Sequence, residues 1–170
     1  RAFRRRSIRG PHRLTAAWRR HRLRPIMVRV HATCVAVDGN GVLLRGPPGC
    51  GKSDLALRLI DTGARLVADD QTELRLSADR LEAFPPPAIA GFLEVRGVGV
   101  VPIDNLPSAL LSVVVDLVAS DAVERVPEAE RCVYLGVAIP LFRLSPFEAS
   151  APAKVRLAVK AATGLIMPVP

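Results

Sequence analysis

The chain has 170 residues, of which 49% are hydrophobic and 4% aromatic, and it carries a formal net charge of +8. This length fits one domain with a core of Val, Leu and Ala, and no apolar run reaches the ~18 residues that a membrane span requires. Three cysteines without C-x-x-C spacing, Cys34, Cys50 and Cys132, argue against a disulfide framework or a zinc site and fit a reducing, cytoplasmic environment.

The positive charge belongs to the first 26 residues. They contain ten arginines and no acidic residue, whereas residues 27–170 carry a net charge of −2. We predict a disordered basic tail over residues 1–26. It could contact nucleic acid or an anionic surface, or act as an organellar transit peptide. Alternatively, residues 1–26 could be a translation of sequence upstream of the true start, which would then be Met27. Trp18 offers too little aromatic interleaving to favour a nucleic-acid surface.

The first half of the remaining chain combines β-branched runs with one helical pattern. The Asn-Gly pair in "DGNG" predicts a hairpin turn, and Gly63 is placed to end the helix. The predicted elements are, in order, a strand (28–37), a turn (38–41), a buried strand (42–45), a loop (46–51), a helix (53–61) and a strand (65–68).

The second half continues with short strands and a terminal helix. Two strands surround "SADR" within residues 71–83, and a Pro-rich spacer follows at 85–87. The later predictions are a strand, turn and strand (92–103), a buried strand (110–118), a polar, mobile segment (120–131), further strands (132–144) and a helix (153–162). Many strands with two helices predict an α/β domain with a mixed sheet over residues 27–170.

A glycine-rich loop between a predicted strand and helix carries the clearest chemical signal. "GPPGCGKS" has the form G-x-x-x-x-G-K-S, whose backbone N–H groups and helix N terminus converge on an anion. Lys52 would reach the outer phosphates, and the Ser53 hydroxyl would ligate Mg²⁺. The motif predicts a nucleotide site formed by Gly46, Pro47, Pro48, Gly49, Cys50, Gly51, Lys52 and Ser53.

A phosphate loop also needs an acidic group that supports the metal ion, and two positions in the sequence compete for that role. Asp116 ends the apolar run "LLSVVVDL" and could act as a metal-binding acid of the ATPase type. Asp69 and Asp70 end a strand just after the phosphate-loop helix, where one carboxylate could serve the metal and the other accept a proton. Both alternatives stay open, since aspartates often end strands without any chemical role.

Glu94 and Arg96 form a further candidate pair. They alternate with apolar residues in "FLEVRGVGVV", so both should point to the same face of a strand. They could form an ordinary ion pair, but Gly97 and Gly99 directly afterwards indicate a loop that approaches another group closely.

These stretches together resemble the catalytic domain of HPr kinase/phosphorylase. The resemblance is carried by "HATCVAVDGNGVLLRGPPGCGKSDLALRLIDTGARLVADD" followed by "FLEVRGVGVV", and it extends from about residue 27 to about residue 165. It implies a single P-loop kinase domain with the HPr kinase / phosphoenolpyruvate carboxykinase-like nucleotide-binding fold. The family's usual separate N-terminal domain is not among these residues.

The resemblance also implies an activity and roles for particular residues. It implies ATP- and Mg²⁺-dependent phosphorylation of a serine on an HPr-type phosphocarrier protein, and the reverse phosphorolysis that yields pyrophosphate. The implied catalytic residues are His31, Lys52, Asp69 and Arg125, and the implied Mg²⁺ ligands are Ser53 and Glu94. "APAKV" loosely resembles the segment linked to phosphorolysis, and a homohexamer is implied for the assembly.

Two alternatives are kept beside this interpretation. A P-loop ATPase or small-molecule kinase would use Asp116 at the metal. A binding module would use the basic tail to hold nucleic acid and the phosphate loop as a nucleotide switch.

Overall fold

The computed structural model describes residues 26–167, so the predicted tail lies outside the described residues except for Ile26. Within this range the chain forms eleven strands, two α-helices and two short 3₁₀ turns, at Pro87–Ile89 and Ser120–Ala122. The regular elements are β1 Met27–Val30, β2 Ala32–Val37, β3 Asn40–Arg45, α1 Lys52–Asp61, β4 Arg65–Ala68, β5 Thr72–Ser77, β6 Arg80–Phe84, β7 Phe92–Val95, β8 Gly99–Pro102, β9 Ala109–Leu117, β10 Glu130–Tyr134, β11 Val137–Leu144 and α2 Ala151–Ala162.

Nine of these strands form one mixed sheet, and β7 and β8 form a separate two-stranded sheet. The large sheet has the order β1-β5-β6-β9-β3-β2-β4, and it branches at β9, which also pairs with β11. The strands β3 and β11 run parallel to β9, whereas all other paired strands of this sheet are antiparallel. The predicted α/β domain with a mixed sheet is therefore confirmed.

The core lies on both faces of this sheet. On β9, Val113 and Val115 pack with the helices, while Val114 faces the opposite side, as the two-residue period of a strand requires. On the helix side, Leu55 and Leu59 of α1 are fully buried against the sheet. Because both faces of the central strands are covered, the middle of β3 (42–44) and of β9 (113–115) is apolar without interruption.

The single strand predicted over residues 28–37 is wrong, because the chain bends at His31. Residues before the bend pair with β5, and residues after it pair with β3 and β4. The backbone N–H of Ala32 then donates to the carbonyl of Asp70 at 3.1 Å. The break leaves the His31 side chain 46% exposed between two strands.

The hairpin between β2 and β3 turns two residues earlier than the Asn-Gly pair predicts. Its central residues are Asp38 and Gly39, with φ of 49° and 79°, and Asn40 already pairs with Val37. Positive φ at both positions is what a two-residue hairpin turn needs, and Asp-Gly supplies it.

The remaining sequence predictions differ from the structure only at element ends. Gly63 follows the last residues of α1 with φ of 99°, as predicted. The terminal helix α2 begins at Ala151 rather than 153, because Pro152 is tolerated in a first helical turn. The segment predicted as polar contains a 3₁₀ turn and the first residues of β10. Along the described range, no helix has the length and apolar character that a bilayer crossing would need.

Candidate active site

The sheet topology brings three predicted site segments to one edge. Strand β2 lies between β3 and β4 and runs antiparallel to both. The beginning of β2 therefore lies beside the ends of β3 and β4, with Ala32 opposite Arg45 and Cys34 opposite Ala68. His31 precedes β2, the phosphate loop follows β3, and the two aspartates follow β4.

These segments line a cavity of about 500 Å³ together with the β7–β8 arm. Of the predicted site residues, the lining contains His31, Pro48, Gly49, Gly51, Lys52, Ser53 and Glu94, together with Asp70 and Arg96. Gly46, Pro47 and Cys50 belong to the loop without lining the cavity. Residues that are distant in sequence thus converge on one cavity.

The phosphate loop follows the path that its glycines permit. Gly46 and Gly51 have φ of 153° and 96°, which side-chain-bearing residues rarely adopt. A Cβ atom on Gly46 would lie 2.5 Å from the Sγ atom of Cys50, and one on Gly51 would lie 2.9 Å from the ring of Phe147. Neither position has room for a side chain without local rearrangement.

Lys52 is held over the loop by the loop's own backbone. Its side chain is largely buried, and its Nζ donates to the carbonyl oxygens of Gly46 at 3.0 Å and Pro47 at 3.1 Å. Lys52 lines the cavity at the N terminus of α1. A fixed positive charge at a helix N terminus is suited to an anionic ligand.

Asp69 lies beneath the loop and is 5% exposed. Its Oδ1 accepts hydrogen bonds from the hydroxyls of Ser53, at 2.9 Å, and Thr33, at 2.8 Å. Its Oδ2 accepts a hydrogen bond from the backbone N–H of Glu94 at 3.0 Å. The carboxylate therefore connects α1, β2 and β7 and fixes the orientation of the Ser53 hydroxyl.

Asp70 has a different environment although it is adjacent in sequence. Its side chain is 64% exposed, and its Oδ1 lies 3.3 Å from Nδ1 of His31. Its backbone adopts a φ of 61°, in the left-handed region that Asp tolerates better than most residues. The turn at Asp69-Asp70 thus directs one carboxylate inward and presents the other, with His31, to the cavity.

The β7–β8 arm closes one side of the cavity. Leu93 is fully buried, which anchors the arm and leaves Glu94 on the opposite side of the strand. Glu94 and Arg96 both line the cavity. Val95 lines the cavity as well, and β7 ends at Val95, so Arg96 lies in the turn that follows and not in the strand. The prediction that Glu94 and Arg96 share one face of a strand is therefore wrong for Arg96.

Asp116 does not reach this cavity. Its two carboxylate oxygens accept hydrogen bonds from Arg45 at 2.7 and 2.8 Å, and Arg45 also donates to the hydroxyl of Tyr134. Burial lowers the pKa of the Arg45 guanidinium, but hydrogen bonds with Asp116 and Tyr134 outweigh it and raise the pKa overall. Because Asp116 is neutralised by Arg45, the structure does not support the ATPase alternative that needs it at a metal.

Arg125 is the predicted catalytic residue that the structure does not bring to the site. It lines a second cavity of about 570 Å³, beside residues of β11 and the end of α2. Its predicted role in catalysis is not tested by this placement.

Two residues of the site were missed by the sequence analysis. Thr33 is fully buried and holds Asp69, but a threonine in a β-branched strand gives no signal of that contact. Phe147 lies against Gly51 and lines the cavity. The available signal was its position in the irregular segment between β11 and α2, because binding residues often lie in such segments.

The glycine-rich motif lies between β3, which runs parallel to β9, and α1, and two aspartates follow β4 at the same sheet edge. This strand–loop–helix arrangement is typical of phosphate-binding loops. The family model of the "HPr Serine kinase C-terminal domain" matches residues 25–145. The chain therefore belongs to the HPr serine kinase C-terminal domain family.

Comparisons with individual proteins agree with this assignment. The HPr kinase/phosphorylase of Thermoanaerobacter sp. (strain X514) is 46% identical over 80 residues, which are 46% of this chain and 26% of that protein. The HPr kinase/phosphorylase of Shouchella clausii (strain KSM-K16) is 45% identical over 78 residues, or 45% of this chain and 25% of that protein. The matches thus span about a quarter of the length of these relatives.

A solved structure shows the same fold. The Hpr(Ser) kinase/phosphatase from Coxiella burnetii superimposes with a TM-score of 0.73 and 23% sequence identity, covering 81% of this chain and 97% of the other. The likeness extends well beyond the phosphate loop, so the predicted fold class is confirmed.

Proposed function

We propose that this domain transfers the γ-phosphoryl group of ATP to a serine of an HPr-type phosphocarrier protein. The convergence of the phosphate loop, the Asp69-Asp70 turn and His31 on one cavity supports this proposal, together with the family membership. The serine oxygen would form a bond to the γ-phosphorus as the bond to the β–γ bridging oxygen breaks. ADP would leave, and the serine proton would pass to a carboxylate.

The residues at the cavity fit a Mg²⁺ ion. Ser53 and Glu94 place a hydroxyl and a carboxylate on the lining, and these are the hard oxygen ligands that Mg²⁺ prefers. Bound there with the nucleotide, the ion would neutralise charge on the transferring phosphoryl group. Lys52, which lines the same cavity, would contribute a second positive charge.

Two carboxylates compete for the role of proton acceptor. The family resemblance assigns it to Asp69, whose Oδ1 contacts Ser53 at the phosphate end of the loop. Asp70 and His31 are the pair that opens to the cavity. We propose Asp69 as the acceptor, with Asp70 and His31 positioning the incoming serine. In the phosphorolytic reaction, an oxygen of inorganic phosphate would bond to the phosphorus of the phosphoserine as the bond from that phosphorus to the serine oxygen breaks. Pyrophosphate would leave, and protonated Asp69 would return the proton to the serine oxygen.

The proposed partner and assembly follow from the same resemblance. HPr-type carriers are the substrates named in the relatives, and we expect the same class here. A homohexamer and a cytoplasmic location remain predictions, which light scattering of the purified protein and cell fractionation would check.

The test is transfer from γ-labelled ATP with Mg²⁺ to a purified HPr-type carrier. We expect acid-stable label on a carrier serine, and we expect Asp69→Asn to lower the rate by more than about 100-fold, the contribution of a general base. Asp70→Asn should lower it less. The opposite order would assign proton transfer to Asp70.

Three further variants test the site, and one of them, Asp116→Asn, separates the proposal from the ATPase alternative. Lys52→Ala should abolish transfer, whereas Lys160→Ala, which removes an exposed lysine on α2, should not. Asp116→Asn should retain transfer, because Asp116 lies in an ion pair outside the cavity. Release of inorganic phosphate that does not depend on the carrier protein and is lost in Asp116→Asn would instead establish the ATPase alternative.

A further inference from the structure

Phe147 is an exposed aromatic side chain in a cavity lined mainly by charged and polar residues and glycines. Of the described residues that line the cavity, it is the only Phe, Tyr or Trp, and the residue is 70% exposed. Much of the rest of the lining is charged or polar, including Lys52, Ser53, Asp70 and Glu94. The exposed aromatic ring of Phe147 at this cavity is suited to contact with a flat apolar group of a ligand.

The segment that carries Phe147 is fastened on both sides. The guanidinium of Arg58 on α1 donates to the carbonyl oxygens of Pro146 and of Glu148. Glu148 is in turn paired with Lys154, and its carbonyl accepts the N–H of Ala151 at 3.0 Å. The ring is thus presented from a backbone already ordered by α1 and α2, so a ligand would not have to order it.

The ring lies directly beside the phosphate loop. A Cβ atom on Gly51 would come within 2.9 Å of its Cζ atom, so the ring edge touches the residue that precedes Lys52. This contact uses only a small part of the ring, since most of the side chain stays exposed. Packing against the loop therefore does not account for the aromatic face that remains open.

We propose that Phe147 is the platform on which the purine base of the bound nucleotide stacks. The inference rests on the proposed function, because it takes the triphosphate to be held by the loop of residues 46–53. A nucleotide held there brings one flat apolar group to the cavity, and Phe147 offers a matching surface at its edge. Stacking is tolerant of base identity, so Phe147 supplies affinity for ATP and GTP alike.

The test compares ligands that share a phosphate chain but differ in the base. Binding of ATP, GTP and inorganic tripolyphosphate to the full chain is measured by calorimetry for the parent protein, Phe147→Ala, Phe147→Leu and Phe147→Trp. We expect Phe147→Ala and Phe147→Leu to weaken both nucleotides by about 5- to 100-fold, the range for one stacked base. Tripolyphosphate should bind equally to all four proteins, and Phe147→Trp should restore nucleotide affinity.

Phe147→Leu removes the flat ring but keeps a branched apolar side chain at this position, so it is a milder test of local packing than Phe147→Ala. Leu157→Ala, at an exposed position on α2 outside the cavity, is the matched control and should change nothing. In Phe147→Trp, fluorescence should respond to ATP and not to tripolyphosphate, with the parent protein, whose single tryptophan is Trp18, as the blank.

The outcomes distinguish this inference from the proposed function. If the parent protein binds neither ATP nor tripolyphosphate, the proposed function fails. Equal weakening of ATP and tripolyphosphate in Phe147→Leu would overturn the stacking role and assign Phe147 to loop packing. Unchanged nucleotide binding with slower transfer to the carrier would also overturn it and place Phe147 in contact with the protein substrate.

Discussion

At the scale of single residues, Asp69 and Glu73 show how this chain keeps carboxylates out of water. Both are at most 5% exposed, and a buried charge without partners would be strongly unfavourable. Asp69 is compensated by two hydroxyls and a backbone N–H, whereas Glu73 is compensated by two arginines, Arg29 and Arg75. The first arrangement serves the site, and the second fastens strand β1 to β5.

Glu73 gives a prediction for stability against pH. The hydrogen bond from Arg75 lowers the pKa of Glu73, burial opposes this, and the bond from Arg29 lowers the pKa further, so that the pKa lies below its usual value. A carboxylate whose folded pKa is depressed stabilises the fold above its unfolded pKa, about 4.3, and loses this effect as the pH falls through the folded pKa. Glu73→Gln should therefore lower the free energy of unfolding by about 1–2 kcal/mol at pH 7.

The measurement is urea unfolding of both proteins from pH 7 to pH 3. The difference between them should stay constant down to about pH 5 and shrink below the unfolded pKa of about 4.3. Glu128→Gln, at an exposed carboxylate, is the control and should follow the parent protein throughout. A difference that persists unchanged at pH 3 would show that the Glu73 charge is not the cause.

At the scale of elements, the features that the sequence predicted are those that depend on neighbouring residues along the chain. The phosphate loop was found because its glycines, lysine and serine are consecutive, and Gly63 was found because helix ends have local signals. The bend at His31 was missed, because it depends on pairing of β1 with residues 72–75. The inward direction of Asp69 was missed as well, since it needs Thr33 and the arm of Glu94 in place.

Gly46 provides a prediction at this scale, because it sets how β3 enters the phosphate loop. In Gly46→Ala, the new methyl group would meet Cys50 Sγ at 2.5 Å and the carbonyl oxygen of Leu117 at 3.1 Å. We expect a loss of about 1–3 kcal/mol in stability from this overlap. ATP binding should weaken by at least about tenfold, because displaced backbone N–H groups no longer converge on the phosphates.

Gly136→Ala is the matched control for strain alone. Gly136 also has a positive φ, 84°, but a Cβ atom there would meet no atom within 4 Å. It should cost about 1 kcal/mol of stability and leave ATP binding unchanged. Calorimetry and urea unfolding measure both effects. Gly46→Ala with the nucleotide affinity of the parent protein would show that the loop adapts.

At the scale of the whole molecule, the site depends on the order of strands in the sheet. Four segments, at residues 31, 46–53, 69–70 and 94–96, meet only because β2 lies between β3 and β4 and the β7–β8 arm folds over that edge. The family match covers the same segments. The second cavity, which contains Arg125, lies elsewhere on the chain and takes no part in this convergence.

The distribution of charge leads to the last prediction. All ten arginines of the basic tail fall within residues 1–25, so a chain that begins at Ile26 has a formal net charge of −2 instead of +8. Because β1 begins at Met27, this deletion removes no residue of the sheet. We expect the shortened protein to keep its transfer rate and its unfolding midpoint, and to lose the salt-sensitive retention on DNA that a cluster of arginines produces. Chromatography on immobilised DNA, run beside the transfer assay, checks both effects. Slower phosphoryl transfer by the shortened protein would show that the tail contributes to catalysis. Retention on DNA after the deletion would place a nucleic-acid surface on the folded domain and would support the binding-module alternative.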